Sequence, residues 1–161
     1  MSTVAILYTS PETVIEDYGK LLNLAKLDEV IDNNKSTFLK VNISWQHYYP
    51  ACSSTPWQIE GVGKYLQSRG FSDLTAAHNG TVVVNPHEGR TKNKHNLAED
   101  NLGINHVVLD EKPTEWIEYK PKNKMIILDK IFPEGIFIPK IFFDTNIVHL
   151  PTVKTHVFTQ M

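Results

Sequence analysis

Residues 36–79 constrain the fold more than any other stretch, because a strand, a polar loop, a capped helix and a second strand follow one another there without a gap. Ser36 to Ser44 alternates and carries β-branched residues, which predicts a strand entering a sheet. The loop from Trp45 to Thr55 holds Gln46, His47, Tyr48, Tyr49, Pro50, Cys52, Ser53 and Ser54. Core packing does not demand such a density of polar and aromatic groups, and loops of this kind usually hold sites. Thr55-Pro56-Trp57-Gln58 is a helix start, with a hydroxyl at the N-cap and proline at the first helical position, where its missing N–H costs nothing. Ile59, Val62, Tyr65 and Leu66 supply the apolar stripe, Gly70 stops the helix, and Phe71 to Ala77 reads as the next strand. A β-loop-α-β unit favours a parallel sheet and sets the loop at the carboxyl edge of its first strand.

That edge is where chemistry is expected. Free amides at the helix start, with Ser53, Ser54 and Thr55 around them and the helix dipole behind, suit an anion, and Lys40 lies on the strand that feeds them. Capping alone also accounts for Thr55, and a surface position for Lys40. A second polar group follows Asn146-Ile147-Val148-His149-Leu150-Pro151, an apolar strand ending in proline, as Thr152-Val153-Lys154-Thr155-His156. Lys154 and His156 are two residues apart, so on an extended chain both point to one side, where a cation and an imidazole can bind an anion or transfer a proton. Two exposed polar residues are the alternative. The candidate ligand contacts are therefore Lys40, Asn42, Ser54 and Thr55, and the candidate catalytic pair is Lys154 and His156. His47, His78, His87, His95, His106 and His149 show no metal-ligand spacing and read as lone loop or core histidines, so no metal site is expected.

With 161 residues, 41% hydrophobic and 21% charged, the chain reads as a single domain over 1–161 with a real core. A net charge of −2 gives no general attraction to nucleic acid or to an anionic membrane. A lone Cys52 suits a reducing compartment, and no stretch nears the roughly 20 apolar residues of a membrane span, so the expected location is the cytoplasm. Thr3 to Tyr8 reads as a buried strand, and Ser10 and Pro11 as the start of a helix whose apolar face is Val14, Ile15, Tyr18, Leu21, Leu22 and Ala25. Later come a strand fragment at 82–84, an exposed loop at 85–90 and a short helix within 92–102. Short strands follow at 106–109, 115–119, 125–128 and 136–138, with 111–140 as a β-hairpin insertion against one sheet edge. The expected fold class is α/β, a mainly parallel sheet in a three-layer sandwich with a β-rich segment near residues 105–140.

Lys40-Val41-Asn42-Ile43, the run Ser53 to Val62 and the run Asn146 to His156 together resemble the family catalogued as domain of unknown function 362, over most of the chain. In that family a Lys-x-Asn strand leads to a Thr-rich helix start, and a later strand ends in a Lys-x-His-like segment that runs on into a Gly-, Lys- and Asn-containing stretch. The resemblance implies that this chain is the amino-terminal part of a longer protein, so its sheet should expose an apolar patch and self-associate. Some members carry ferredoxin-like iron–sulfur modules, and the family is distantly similar to the nickel-dependent lactate racemase group. Cys52 alone cannot hold a cluster, which takes about four thiolates, and no nickel-cofactor attachment motif is visible, so the cofactor stays open. Two function classes remain. One is an enzyme or cofactor-binding protein for a small anionic molecule at the carboxyl edge; the other is a non-catalytic module docking a protein partner through Trp45, Tyr48, Tyr49 and Trp57, or the scaffold of an iron–sulfur protein.

Overall fold

The computed structural model describes residues 3–49, 51–81 and 83–156. In chain order the elements are α1 (Val14–Leu24), β1 (Thr37–Val41), α2 (Pro56–Ser68), β2 (Leu74–His78), α3 (Pro86–Lys92), α4 (His95–Leu102), β3 (Asn105–Val108), β4 (Trp116–Glu118), α5 (Leu128–Ile131), β5 (Phe137–Pro139) and β6 (Asn146–Leu150). Four strands form one parallel sheet in the order β3-β2-β1-β6, so the α/β expectation holds and the two sequence runs at Lys40 and His149 become neighbours.

Strand alternation divides the sheet into two faces. On one, Leu39, Val41, Leu74, Ala76 and Leu150 pack with Ile59, Val62, Tyr65 and Leu66 of α2 and with Ala98 of α4, while Tyr18 and Leu22 of α1 close the outside. Gly61 sets the α1–α2 distance, because a Cβ there would lie 2.9 Å from the carbonyl oxygen of Ile15. On the other face Phe38, Ala77 and Leu109 pack with Ile141 and Phe142, from a 3-10 turn at Lys140–Phe142, and Phe38 meets Phe142 edge-on at 5.2 Å. The helical face holds most of the buried apolar side chains, so truncations of Leu39, Ile59 or Leu66 should cost about 2–5 kcal/mol each.

α2 begins and ends as its sequence predicts. The Gln58 N–H donates to Thr55 Oγ1 at 3.3 Å, and Gly70 takes φ +85° just past the helix. Other expectations are corrected. Thr3–Tyr8 forms no strand, and Val4, Ile6 and Tyr8 are 84%, 78% and 95% exposed: strand propensity needs a neighbouring strand to act on, and none among the described residues pairs with this segment. α1 starts at Val14, after a turn at 11–13, with Thr13 as its N-cap. The stretch read as a loop at 85–90 lies mostly in α3, because Asn85 Oδ1 accepts from the Glu88 N–H at 3.0 Å and Pro86 sits at the first helical position. Residues 125–128 form no strand, and β4 and β5 make their own two-stranded antiparallel sheet rather than extending an edge of the main one. Of the fragment 82–84, Val82 lies outside the described residues and Val84 makes one antiparallel bridge to Thr81. No helix among the described residues is long and apolar enough to cross a membrane.

Candidate functional site

β1 and β6 run in parallel with Lys40 opposite His149 and Val41 opposite Leu150, so both end at one carboxyl edge, beside the start of α2. Ser54 is the knot of that edge. Its Oγ accepts from the Asn42 N–H at 2.9 Å and donates to the Leu150 carbonyl, while its own N–H donates to the Asn42 carbonyl at 2.9 Å. Ser53 repeats the device, its Oγ accepting from the Ser44 N–H at 3.1 Å and its carbonyl accepting from Thr152 Oγ1 at 2.9 Å. A loop between three parallel-packed elements has no ladder of its own, so short hydroxyl side chains satisfy the backbone groups instead. Ser54 and Asn42 are thus brought together, and Thr55 serves the helix cap.

Lys40 stands apart from that knot. Alternation puts it on the face opposite the helices, together with Asn42 just past the strand and with its register partner His149. Its Nζ donates to the Val41 carbonyl at 3.2 Å, and among the described residues no carboxylate lies within ion-pair distance of it. Burial holds its pKa below the usual lysine range. Asn42 Nδ2 donates to Ser44 Oγ at 2.7 Å. Lys154 and His156 follow Thr152 in a segment with no strand, so their two-residue spacing does not by itself set them on one side; Lys154 is half-buried and His156 exposed.

A second polar group lies on the helical face, and sequence spacing missed it. His78 ends β2, His106 lies on β3 opposite Ala76, and His95 opens α4 with Glu99 one turn further on. Arg90 of α3 donates through Nε to Glu99 Oε2 at 2.6 Å, and His106 Nδ1 lies 3.3 Å from Glu99 Oε1. His95 Nε2 donates to the Ser54 carbonyl at 2.6 Å, tying this cluster to the serine knot. The rings of His78 and His106 are 4.9 Å apart. Both nitrogens of His78, Nδ1 of His95 and Nε2 of His106 are buried without a protein partner among the described residues. Burial, reinforced by His106, His95 and Lys40, pushes the His78 imidazole down to about 3, and burial also lowers that of His95. Burial alone would raise the Glu99 carboxyl, but His106 and Arg90 outweigh it and hold it below the ordinary carboxylate range. One signal was available, the His95-x3-Glu99 pair on one helix face; the approach of β3 was not.

No family model matches the chain, and no curated protein or solved structure matches it. Among the described residues no group of three or more His, Cys, Asp or Glu side chains is arranged to hold a metal ion.

Proposed function

We propose that this protein binds a small anionic molecule, as substrate or cofactor, at the carboxyl edge of its parallel sheet, on the face that carries Lys40, Asn42 and His149. The observation that carries this reading is the Lys40 ammonium, half-buried, depressed in pKa and, among the described residues, bonded only to the Val41 carbonyl. A desolvated cation without a carboxylate is costly, and an anion at that edge offsets the cost. The carboxyl edge of an open parallel sheet is also where α/β proteins take ligands. Lys154 and His156, a few residues past the end of β6, belong to the proposal as the groups that follow the same edge, and the resemblance to domain of unknown function 362 rests on the same runs. Titrating inorganic phosphate and acetate against the wild type and Lys40→Ala, read by amide shifts, tests it. A charge-assisted contact is worth about 1.5–3 kcal/mol, so Lys40→Ala should bind about one to two decades more weakly while staying folded. Equal binding by both proteins removes the reading.

A second reading has its own observation. Trp45, Tyr48, Tyr49 and Trp57 are between 41% and 69% exposed, so the aromatic loop presents rings to solvent, as a protein-docking surface does. Replacing Tyr48 and Tyr49 by serine would abolish partner binding on this reading and leave phosphate binding unchanged.

A further inference from the structure

Thr3–Tyr8 has the side-chain pattern of a strand but no sheet to join. Val4, Ile6 and Tyr8 face solvent while Ala5 and Leu7 between them are half-buried, which is the period of an extended chain. The inner side is fixed to α1. Leu7 lines a hollow with Val14, Tyr18 and Leu21, and Thr9 Oγ1 donates to Asp17 Oδ2 at 2.8 Å. The outer side and the backbone are open: among the described residues no backbone N–H or carbonyl of 3–8 makes a hydrogen bond. We propose that this segment is an interface strand, independent of the Lys40 edge, and that residues 3–8 of two copies pair antiparallel about a two-fold axis through Ile6 to form a homodimer. A row of free N–H and C=O groups beside apolar side chains templates pairing with another chain, and proteins normally blunt such rows with charge or proline. Neither occurs here before Pro11 and Glu12.

The partner is a second copy because the segment is complementary to itself. With Ile6 on the axis, Val4 of one copy faces Tyr8 of the other, an aromatic–β-branched pair that symmetry makes twice, and no like charges meet. A strand carrying charge would set it against apolar side chains. In the same register Thr3 of each copy faces Thr9 of the other, at the mouth of a groove lined by Pro11, Val14, Ile15 and Trp57. The contact therefore extends from the strand toward α1 and α2. A six-residue strand about 20 Å long covers less than the roughly 800 Å² per partner of a standard interface. The dimer is accordingly weak and concentration-dependent.

Sedimentation velocity of the full chain over a concentration series tests this. The wild type should pass from monomer to dimer, and amide hydrogen exchange within 3–8 should slow as the dimer forms. Ile6→Lys, at an exposed position, sets two like charges opposite each other on the axis and should weaken dimerisation about tenfold. Ile6→Glu should do the same, and an equimolar mixture of the two variants should recover a one-to-one dimer, because Lys then faces Glu. Ile126→Lys, at an exposed apolar position in a different part of the chain, should leave dimerisation unchanged. A wild type that stays monomeric overturns the proposal, as does a dimer that Ile6→Lys leaves intact or a mixture that fails to associate. Loss of the dimer in Ile126→Lys alone would move the interface to another surface and overturn it equally.

Discussion

Two polar groups meet at Ser54 and differ in one respect. In the serine knot every hydroxyl has a partner: Ser54 serves Asn42 and Leu150, Ser53 serves Ser44, and Thr152 closes the other side. In the histidine cluster Glu99 and Arg90 are paired, yet four buried ring nitrogens have no protein partner among the described residues. A buried polar atom without a partner costs about 1–3 kcal/mol, whereas a satisfied one contributes modestly. The knot is therefore explained by folding alone, since it closes the exits of β1 and β6 over α2. The cluster keeps polar ring atoms in a buried site where packing alone would favour apolar side chains.

The largest expected effect comes from acid. His78 sits at about 3 in the folded protein against 6.5 for the free side chain, so the unfolded chain binds the extra proton first. Its contribution is fully present above 6.5, declines as pH falls below that, and is exhausted near 3. At about 1.4 kcal/mol per pH unit this single group accounts for roughly 5 kcal/mol at the acid limit, and His95 acts in the same direction. Urea unfolding at several pH values should show this fall, and His78→Leu should flatten it. An unchanged slope in that variant would assign the acid lability to other groups.

Next in size is the knot. Ser54→Ala leaves the Asn42 N–H without its acceptor and the Leu150 carbonyl without its donor in a site 2% exposed, and should lower stability by roughly 3 kcal/mol. His78→Leu at neutral pH is the opposite case. It replaces an unpartnered imidazole by an apolar side chain of similar bulk, so stability should hold or rise by about 1 kcal/mol. If Ser54→Ala and His78→Leu destabilise equally in denaturant titrations, the distinction between knot and cluster fails.

The parts of the molecule that were legible in the sequence are those with local causes. Thr55-Pro56 and Gly70 bracket α2 through capping and a positive φ, and β1 and β6 follow from their own alternation. Asn85-Pro86 carries the same start signal as Thr55-Pro56, but α3 is too short to display an apolar stripe. Thr3–Tyr8 failed for the reverse reason: its residues favour a strand, yet pairing is a property of the neighbour. Of the candidate site residues, Asn42 and Ser54 meet, whereas Lys40 lies across the sheet from α2, because alternation assigns a face that linear proximity does not. The histidine cluster required the β2–β3 register, which sets Ala76 opposite His106 and links residues separated by two helices.

The smallest effect separates capping from binding at the helix start. Thr55 Oγ1 accepts from the Gln58 N–H at 3.3 Å, and Thr55 has the extended backbone of an N-cap, with φ −90° and ψ 149°. Thr55→Ala should therefore cost about 1 kcal/mol in stability, and Thr55→Ser, which keeps the acceptor, should cost less. The same two variants report on the ligand. If the Lys40 face alone takes the anion, Thr55→Ala leaves the phosphate affinity where it was, because the hydroxyl is spent on the helix and lies on the other side of the sheet. A loss of phosphate affinity in Thr55→Ala that Thr55→Ser restores would draw the anion round the edge to the helix amides, joining the two faces into one site.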